Sequence, residues 1–163
     1  GMRIFETDTG NELVYYGATT GWQKPWNQPW GEVGLWQVST AQTGIGFPYA
    51  DVTGLTSGSI TYIASRKLVI EAKLVARQRT AAAAAFIGID LGGALLDETL
   101  ASLGINDWWS ASISARSNTA GGAATFKVRA QTGGGTLDID STATRLATLR
   151  ITDDGPSGSA PAS

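Results

Sequence analysis

No cysteine and no histidine occur among the 163 residues of this chain. Without thiols there are no disulfides, and the redox compartment leaves no mark on the sequence. Without imidazole the commonest general base is missing, and so is the commonest metal ligand. A zinc site needs thiolate or neutral imidazole, so none is expected. Serine–histidine and cysteine–histidine nucleophile systems are excluded with them. Charge is also scarce. Charged residues make up 16% of the chain, against about a quarter in an ordinary soluble domain. The solvent face must therefore be built largely from Thr, Ser, Gly, Asn and Gln. The net charge of −2 leaves no basic footprint for nucleic acid. No apolar run approaches the roughly 20 residues that span a bilayer, so membrane insertion is not expected. The N-terminal residues lack the charged-then-apolar segment of a secretory signal.

Short apolar runs separated by turn residues are what the chain does contain. Glycine is abundant, with 21 residues, and it falls between those runs, as in a protein of many short strands. Period-two alternation is clearest over 67–79. Leu68, Ile70, Ala72, Leu74 and Ala76 share one face there, and Glu71, Lys73 and Arg77 the other. This is the pattern of a half-buried antiparallel strand. Trp109, Ala111, Ile113 and Ala115 alternate with serines and Arg116; Phe126, Val128 and Ala130 with Lys127 and Arg129; Leu137 and Ile139 with Asp138 and Asp140; and Ala147, Leu149 and Ile151 with Thr148 and Arg150. The glycine-rich run 132–136 reads as a hairpin loop between two of these strands. Further strands are expected at 35–39, 59–64 and 84–91. The stretch 95–104 suits either a strand or one helical turn, and the alanine run 81–85 is too short to hold a helix unaided. About ten strands result, enough for two packed sheets.

The N-terminal 31 residues differ in character. Ile4-Phe5 and Leu13-Val14-Tyr15-Tyr16 flank Asp8-Thr9-Gly10-Asn11, which predicts a β-hairpin around residue types that accept a tight turn. Trp22, Trp26 and Trp30 follow, with Pro25 and Pro29 between them. The prolines favour an extended strap over a helix. Its tryptophans either anchor the strap by packing or offer flat faces to sugar rings. The expected organisation is a hairpin and strap at 1–31, a β-sandwich at 32–154, and a disordered Gly/Ser/Pro/Ala tail at 155–163.

The order of these segments carries a resemblance. Thr7-Asp8-Thr9, then Leu13-Val14-Tyr15-Tyr16-Gly17, then Pro29-Trp30-Gly31-Glu32-Val33-Gly34 is similar to phage tail-fibre and minor tail proteins, especially those of actinobacterial phages. The similarity continues through Ala41-Gln-Thr-Gly-Ile45, Asp51-Val-Thr-Gly-Leu55, Arg66-Lys67-Leu68 and Ala147-Thr-Leu-Arg-Ile-Thr-Asp-Asp154. It implies an all-β fold, a two-sheet antiparallel jelly-roll-like sandwich behind a short N-terminal hairpin. It also implies a structural and adhesive virion component, made in the host cytoplasm. Such a component would assemble as a homotrimer with other tail proteins and bind a host surface glycan without catalysis. Two other roles stay open: a purely architectural virion domain, and a carbohydrate-binding module of a larger enzyme.

Strand faces are committed to the core or to neighbours, so a receptor site is expected in loops at one end of the sandwich. The segments 44–49, 104–108 and 118–122 supply rings at Phe47, Tyr49 and Trp108, with hydrogen-bonding groups at Asn106, Asn118 and Thr119. A sugar needs an apolar face and several neutral hydrogen-bonding groups of this kind. No catalytic residue is expected. Asp97, Glu98 and Asp107 are a pairing any acidic chain offers. Asp138, Asp140, Asp153 and Asp154 lack the loop of a calcium site and read as strand and turn carboxylates. Neither metal nor cofactor is expected.

Overall fold

A computed structural model describes residues 3–6, 11–15, 22–23, 31–62, 66–118 and 122–156, with side chains described for 32–60, 67–117 and 122–154. The chain forms two compact units, Gly1–Gly31 and Glu32–Ser163. In the first, β1 (Arg3–Glu6) and β2 (Asn11–Tyr15) pair antiparallel from Arg3↔Val14 to Glu6↔Asn11. The hairpin is present, with Asn11 already inside the second strand rather than in the turn. A third strand, β3 (Trp22–Gln23), pairs with β2, and three strands are the minimum for a sheet to hold on its own. Trp26, Trp30 and the prolines of the strap lie outside the described residues, as does the side chain of Trp22.

The second unit is all-β. Its strands are β4 (Gly31–Val38), β5 (Gln42–Ile45), β6 (Ala50–Thr56), β7 (Ile60–Tyr62), β8 (Arg66–Gln78), β9 (Ala83–Leu91), β10 (Ala94–Leu103), β11 (Trp108–Asn118), β12 (Gly122–Ala124), β13 (Phe126–Thr132), β14 (Leu137–Ile139) and β15 (Ala147–Pro156). The long strand β8 organises the first sheet. β11 runs along one side of it, from Trp108↔Arg77 to Asn118↔Lys67. Two strands share its other side: β15 covers the first part and β14 the last, with Leu137 opposite Gln78. β4 then flanks β15, and β5 flanks β14. The second sheet has the order β10-β9-β13-β6.

β7 and β12 form a separate antiparallel pair. With β4 and β5 counted as one lane, and β14 and β15 as another, the remaining ten strands make eight lanes in two four-lane sheets. Numbered along the chain, their orders are 1-8-3-6 and 2-7-4-5. This is the double Greek key of a jelly roll. The stretch 95–104 is strand, since β10 pairs with β9 almost throughout its length. The run 132–136 is not a hairpin loop. β13 lies in the second sheet and β14 in the first, so this connection crosses between sheets. β15 also continues two residues past 154, with Pro156 opposite Arg66.

The alternation seen in the sequence becomes the core. Leu68, Ile70, Ala72, Leu74 and Ala76 are buried from the first sheet, and Ala85, Ile87, Ile89, Phe126, Val128 and Ala130 from the second. Across β8 and β11 each bulky side chain faces a small one: Leu74↔Ala111, Ala72↔Ile113, Ile70↔Ala115. Ala111 and Ala115 are therefore small because their neighbours across the strand pair are large. Each large aliphatic side chain so buried contributes roughly 1.5–3 kcal/mol.

Candidate functional site

The register places four connections at one end of the sandwich. β8 ends there at Gln78, β11 begins opposite it at Trp108, β14 begins opposite it at Leu137, and β13 ends at Thr132 near the start of β9. The loops 46–49, 79–82, 104–107 and 133–136 therefore share this end. Gln78 ties three of them together. Its backbone N–H donates to the Asp107 carbonyl at 3.2 Å, and its own carbonyl accepts from the Asn106 N–H at 2.7 Å. Its side chain is fully buried. The amide Nε2 donates to the Ala81 and Gly134 carbonyls at 2.7 Å each and lies 3.2 Å from Thr132 Oγ1. Sequence reasoning missed this residue: position 78 continues the inward phase of Leu68 to Ala76, but the apolar run stops at Ala76 and a polar side chain there does not read as core.

The loop end carries exposed apolar groups. Phe47 is 80% exposed, Ile105 is exposed beside Asn106, and Trp108 is 49% exposed. Phe47 precedes Pro48 through a cis peptide bond, and Asn106 has φ 67°, a left-handed conformation that asparagine tolerates better than most residues. Trp108 and Trp109 point to opposite faces of β11, as alternation requires. Trp109 packs against the core. Trp108 faces outward with the Arg77 guanidinium 4.7 Å and the Arg145 guanidinium 5.3 Å from its ring centroid. Such cation–π contacts are worth about 0.5–1 kcal/mol at exposed sites, and they hold the ring in place.

Nearby carboxylates are occupied. Asp140 pairs with Arg145 at 2.7 Å. Asp138 pairs with Arg79 at 3.0 Å and accepts from the Gly44 N–H at 3.0 Å. Asp107 accepts from the Gly104 N–H and clasps its own loop. Among the described residues no group of three or more acidic side chains is placed to hold a metal ion.

Two expected members of the loop site lie elsewhere. Asn118 is the last residue of the eleven-residue strand that Trp108 begins, so they are about 34 Å apart along the strand. Thr119 lies outside the described residues. Tyr49 leaves the loop end and crosses the outer face of the second sheet. Its hydroxyl donates to Glu98 on β10, and its ring sits 5.7 Å from the Arg129 guanidinium of β13. Gly88 between them makes room: a Cβ there would lie 3.8 Å from Tyr49 Cε1 and 2.6 Å from Leu95 Cδ2. Trp108 and Tyr49 thus belong to opposite outer faces.

The face that Tyr49 crosses also holds an open groove of about 450 Å³, lined by Asp51, Asp90, Thr125, Lys127 and Arg129, with Gly92 and Gly93. Lys127 and Arg129 are two of the outward residues of β13, and Asp90 on β9 stands opposite Lys127. Asp51 Oδ2 meets Lys127 Nζ at 2.6 Å, and Asp51 Oδ1 lies 3.3 Å from Arg129 Nε. Asp90 is buried, 3.3 Å from Arg129 Nη1, and accepts from the Gly93 N–H at 2.9 Å. No signal in the sequence separates these four from ordinary outward strand charges.

No protein-family model and no curated protein matches the chain. Among solved structures it is similar to the C-terminal CBM6 of LamC, a marine laminarinase from Zobellia galactanivorans, at 16% identity and a TM-score of 0.33, over 69% of this chain and 99% of that one. It is also similar to dimeric latent PorU from Porphyromonas gingivalis, at 10% identity and a TM-score of 0.35, over 74% of this chain and 13% of that one. A third similarity is to a chain of infectious bursal disease virus Gx strain, at 13% identity and a TM-score of 0.34, over 77% and 38%. No helix among the described residues is long and apolar enough to cross a membrane.

Proposed function

We propose that this protein is a non-catalytic adhesive component of a phage tail, a fibre or minor tail protein domain, that binds a host surface glycan through the loop end of its sandwich. The observation that carries the reading is Phe47, an aromatic ring 80% exposed at the end where Asn106 and Trp108 also stand. A side chain so exposed contributes little to the core, and exposed aromatics beside neutral hydrogen-bonding groups suit a sugar. The resemblance in the hairpin and strap supports a virion location. The test is binding of the full chain to an array of bacterial cell-wall and capsular saccharides. Phe47→Ala with Trp108→Ala and Asn106→Gly, the last keeping the left-handed backbone, is expected to abolish the signal while the fold survives. Undiminished binding by that variant would place adhesion elsewhere. An array without any signal would favour a purely architectural role.

The same reading includes a homotrimer, so that several weak sites act together. Supporting it are Val33 and Leu35 on the edge strand β4 and Leu95 and Leu100 on the edge strand β10, all exposed. Sedimentation at micromolar concentration is expected to give three times the 17.0 kDa chain mass. A single-chain mass would overturn the trimer.

A further inference from the structure

We infer that the groove on the outer face of β10-β9-β13-β6 is a second binding site, and that it takes an uncharged, hydroxyl-rich ligand the size of one or two sugar rings. It adds a site to the adhesive reading and stands without the loop-end site, from which it differs in face and residues. At about 450 Å³ it falls within the range of small-molecule sites. Its charges cancel: Asp51 and Asp90 against Lys127 and Arg129. An anion would have to pull Lys127 from Asp51, and a cation would have to pull Asp51 from Lys127 and then face Arg129. A hydroxyl does neither, because it donates and accepts at once. It can donate a hydrogen bond to Asp51 while accepting one from Lys127.

Donor and acceptor capacity remains for this. The Lys127 ammonium has three N–H groups and, among the described residues, one partner, Asp51. Asp51 is exposed. The Thr125 hydroxyl lines the groove and makes no hydrogen bond among the described residues. Asp90 and Arg129 are different. Both oxygens of Asp90 are engaged, and Arg129 donates to Asp90 and to the Tyr49 carbonyl, while its buried Nε lies within ion-pair distance of Asp51 but makes no hydrogen bond among the described residues. They form the rigid floor on which Lys127, Asp51 and Thr125 are presented. At Gly92 and Gly93 a Cβ would meet nothing within 4 Å, so this side of the groove is open to a ring.

The experiment is a titration of the isotope-labelled full chain, followed by its amide resonances, with D-glucose, D-galactose, D-mannose and L-rhamnose to tens of millimolar. Inorganic phosphate is titrated in parallel. At least one sugar is expected to shift the Gly92, Gly93 and Thr125 amides saturably, and phosphate is not. Lys127→Met and Thr125→Val are each expected to weaken that sugar on the order of tenfold. Lys127→Met is expected to keep the fold, because Lys127 is an outward, partly exposed residue of β13 and the core face of that strand is untouched. Phe47→Ala and Trp108→Ala are expected to leave the titration unchanged, so this site and the loop end succeed or fail separately. The inference is overturned if no sugar saturates those amides, if phosphate does, or if both groove variants bind the sugar as the parent chain does.

Discussion

Replacing Gln78 with leucine is expected to destabilise the sandwich by about 3 kcal/mol and to loosen the loop end. Leucine has a similar volume, so the effect is not that of a cavity. It removes the amide donor that serves the Ala81 and Gly134 carbonyls at 2.7 Å. It also strips Thr132 Oγ1 of one neighbour, although that hydroxyl keeps the Ala84 and Gly134 carbonyls. The Gly134 carbonyl still accepts from Thr132 Oγ1 at 2.8 Å, so the part-buried Ala81 carbonyl is the acceptor left short, at about 1–3 kcal/mol, and the expected loss sits at the top of that range. For a chain of this size, 3 kcal/mol corresponds to a fall in melting temperature of roughly 10 °C. Faster amide exchange should appear in 79–82 and 133–136, while the middle of β8 stays protected. Thermal unfolding and hydrogen exchange on the same variant check both parts. A melting temperature within about 2 °C of the parent would mean that water reaches that carbonyl and satisfies it. A loosened loop end would also weaken any ligand held by the neighbouring loops, since ordering them would then be charged to binding.

The second large effect is expected from Phe126→Ala, at about 3–5 kcal/mol. Phe126 is fully buried and heads the second sheet's contribution to the core. Its backbone is held at both polar groups by Ser57. The Phe126 N–H donates to Ser57 Oγ at 2.9 Å, and the Phe126 carbonyl accepts from the Ser57 N–H at 2.9 Å. Neighbours pinned in this way cannot collapse freely into the space the ring leaves, which places the cost at the upper part of the range for large-to-small changes. Denaturant unfolding of the sandwich checks this. A loss below about 1 kcal/mol would show that the surrounding aliphatic side chains refill the site.

Much of the strand layout could be read directly, because period-two alternation depends only on the geometry of a strand and a dry face. Leu68 to Ala76, Trp109 to Ala115 and Phe126 to Ala130 announce their inward positions in this way, and Trp108 announces its outward one. The pairing of Arg3–Glu6 with Asn11–Tyr15 was legible too, since two apolar runs flank residue types that accept a tight turn. The run 132–136 shows the limit. Its glycines signal a turn, but a turn does not state whether the next strand rejoins the same sheet. That depends on the lane next to β8 that β14 fills, which is set by strands far away in sequence.

The candidate site was legible only in part, and for the same reason. Phe47, Asn106 and Trp108 lie at one end of the sandwich because β5, β8, β10 and β11 all end or begin there. Asn118 does not, because nothing in an alternation of serines and small residues says how far β11 continues. Tyr49 looked like a loop aromatic until Gly88 and Glu98, about 40 and 50 residues further along, defined the surface it crosses. Composition and periodicity determined the all-β character and the inward residues of the long alternating strands, since these follow from residue chemistry and local geometry alone. The sheet order, the burial of Gln78 and Asp90, and the assembly of the groove from β6, β9 and β13 were decided by tertiary packing, where a polar side chain's role is set by partners that the sequence keeps far apart.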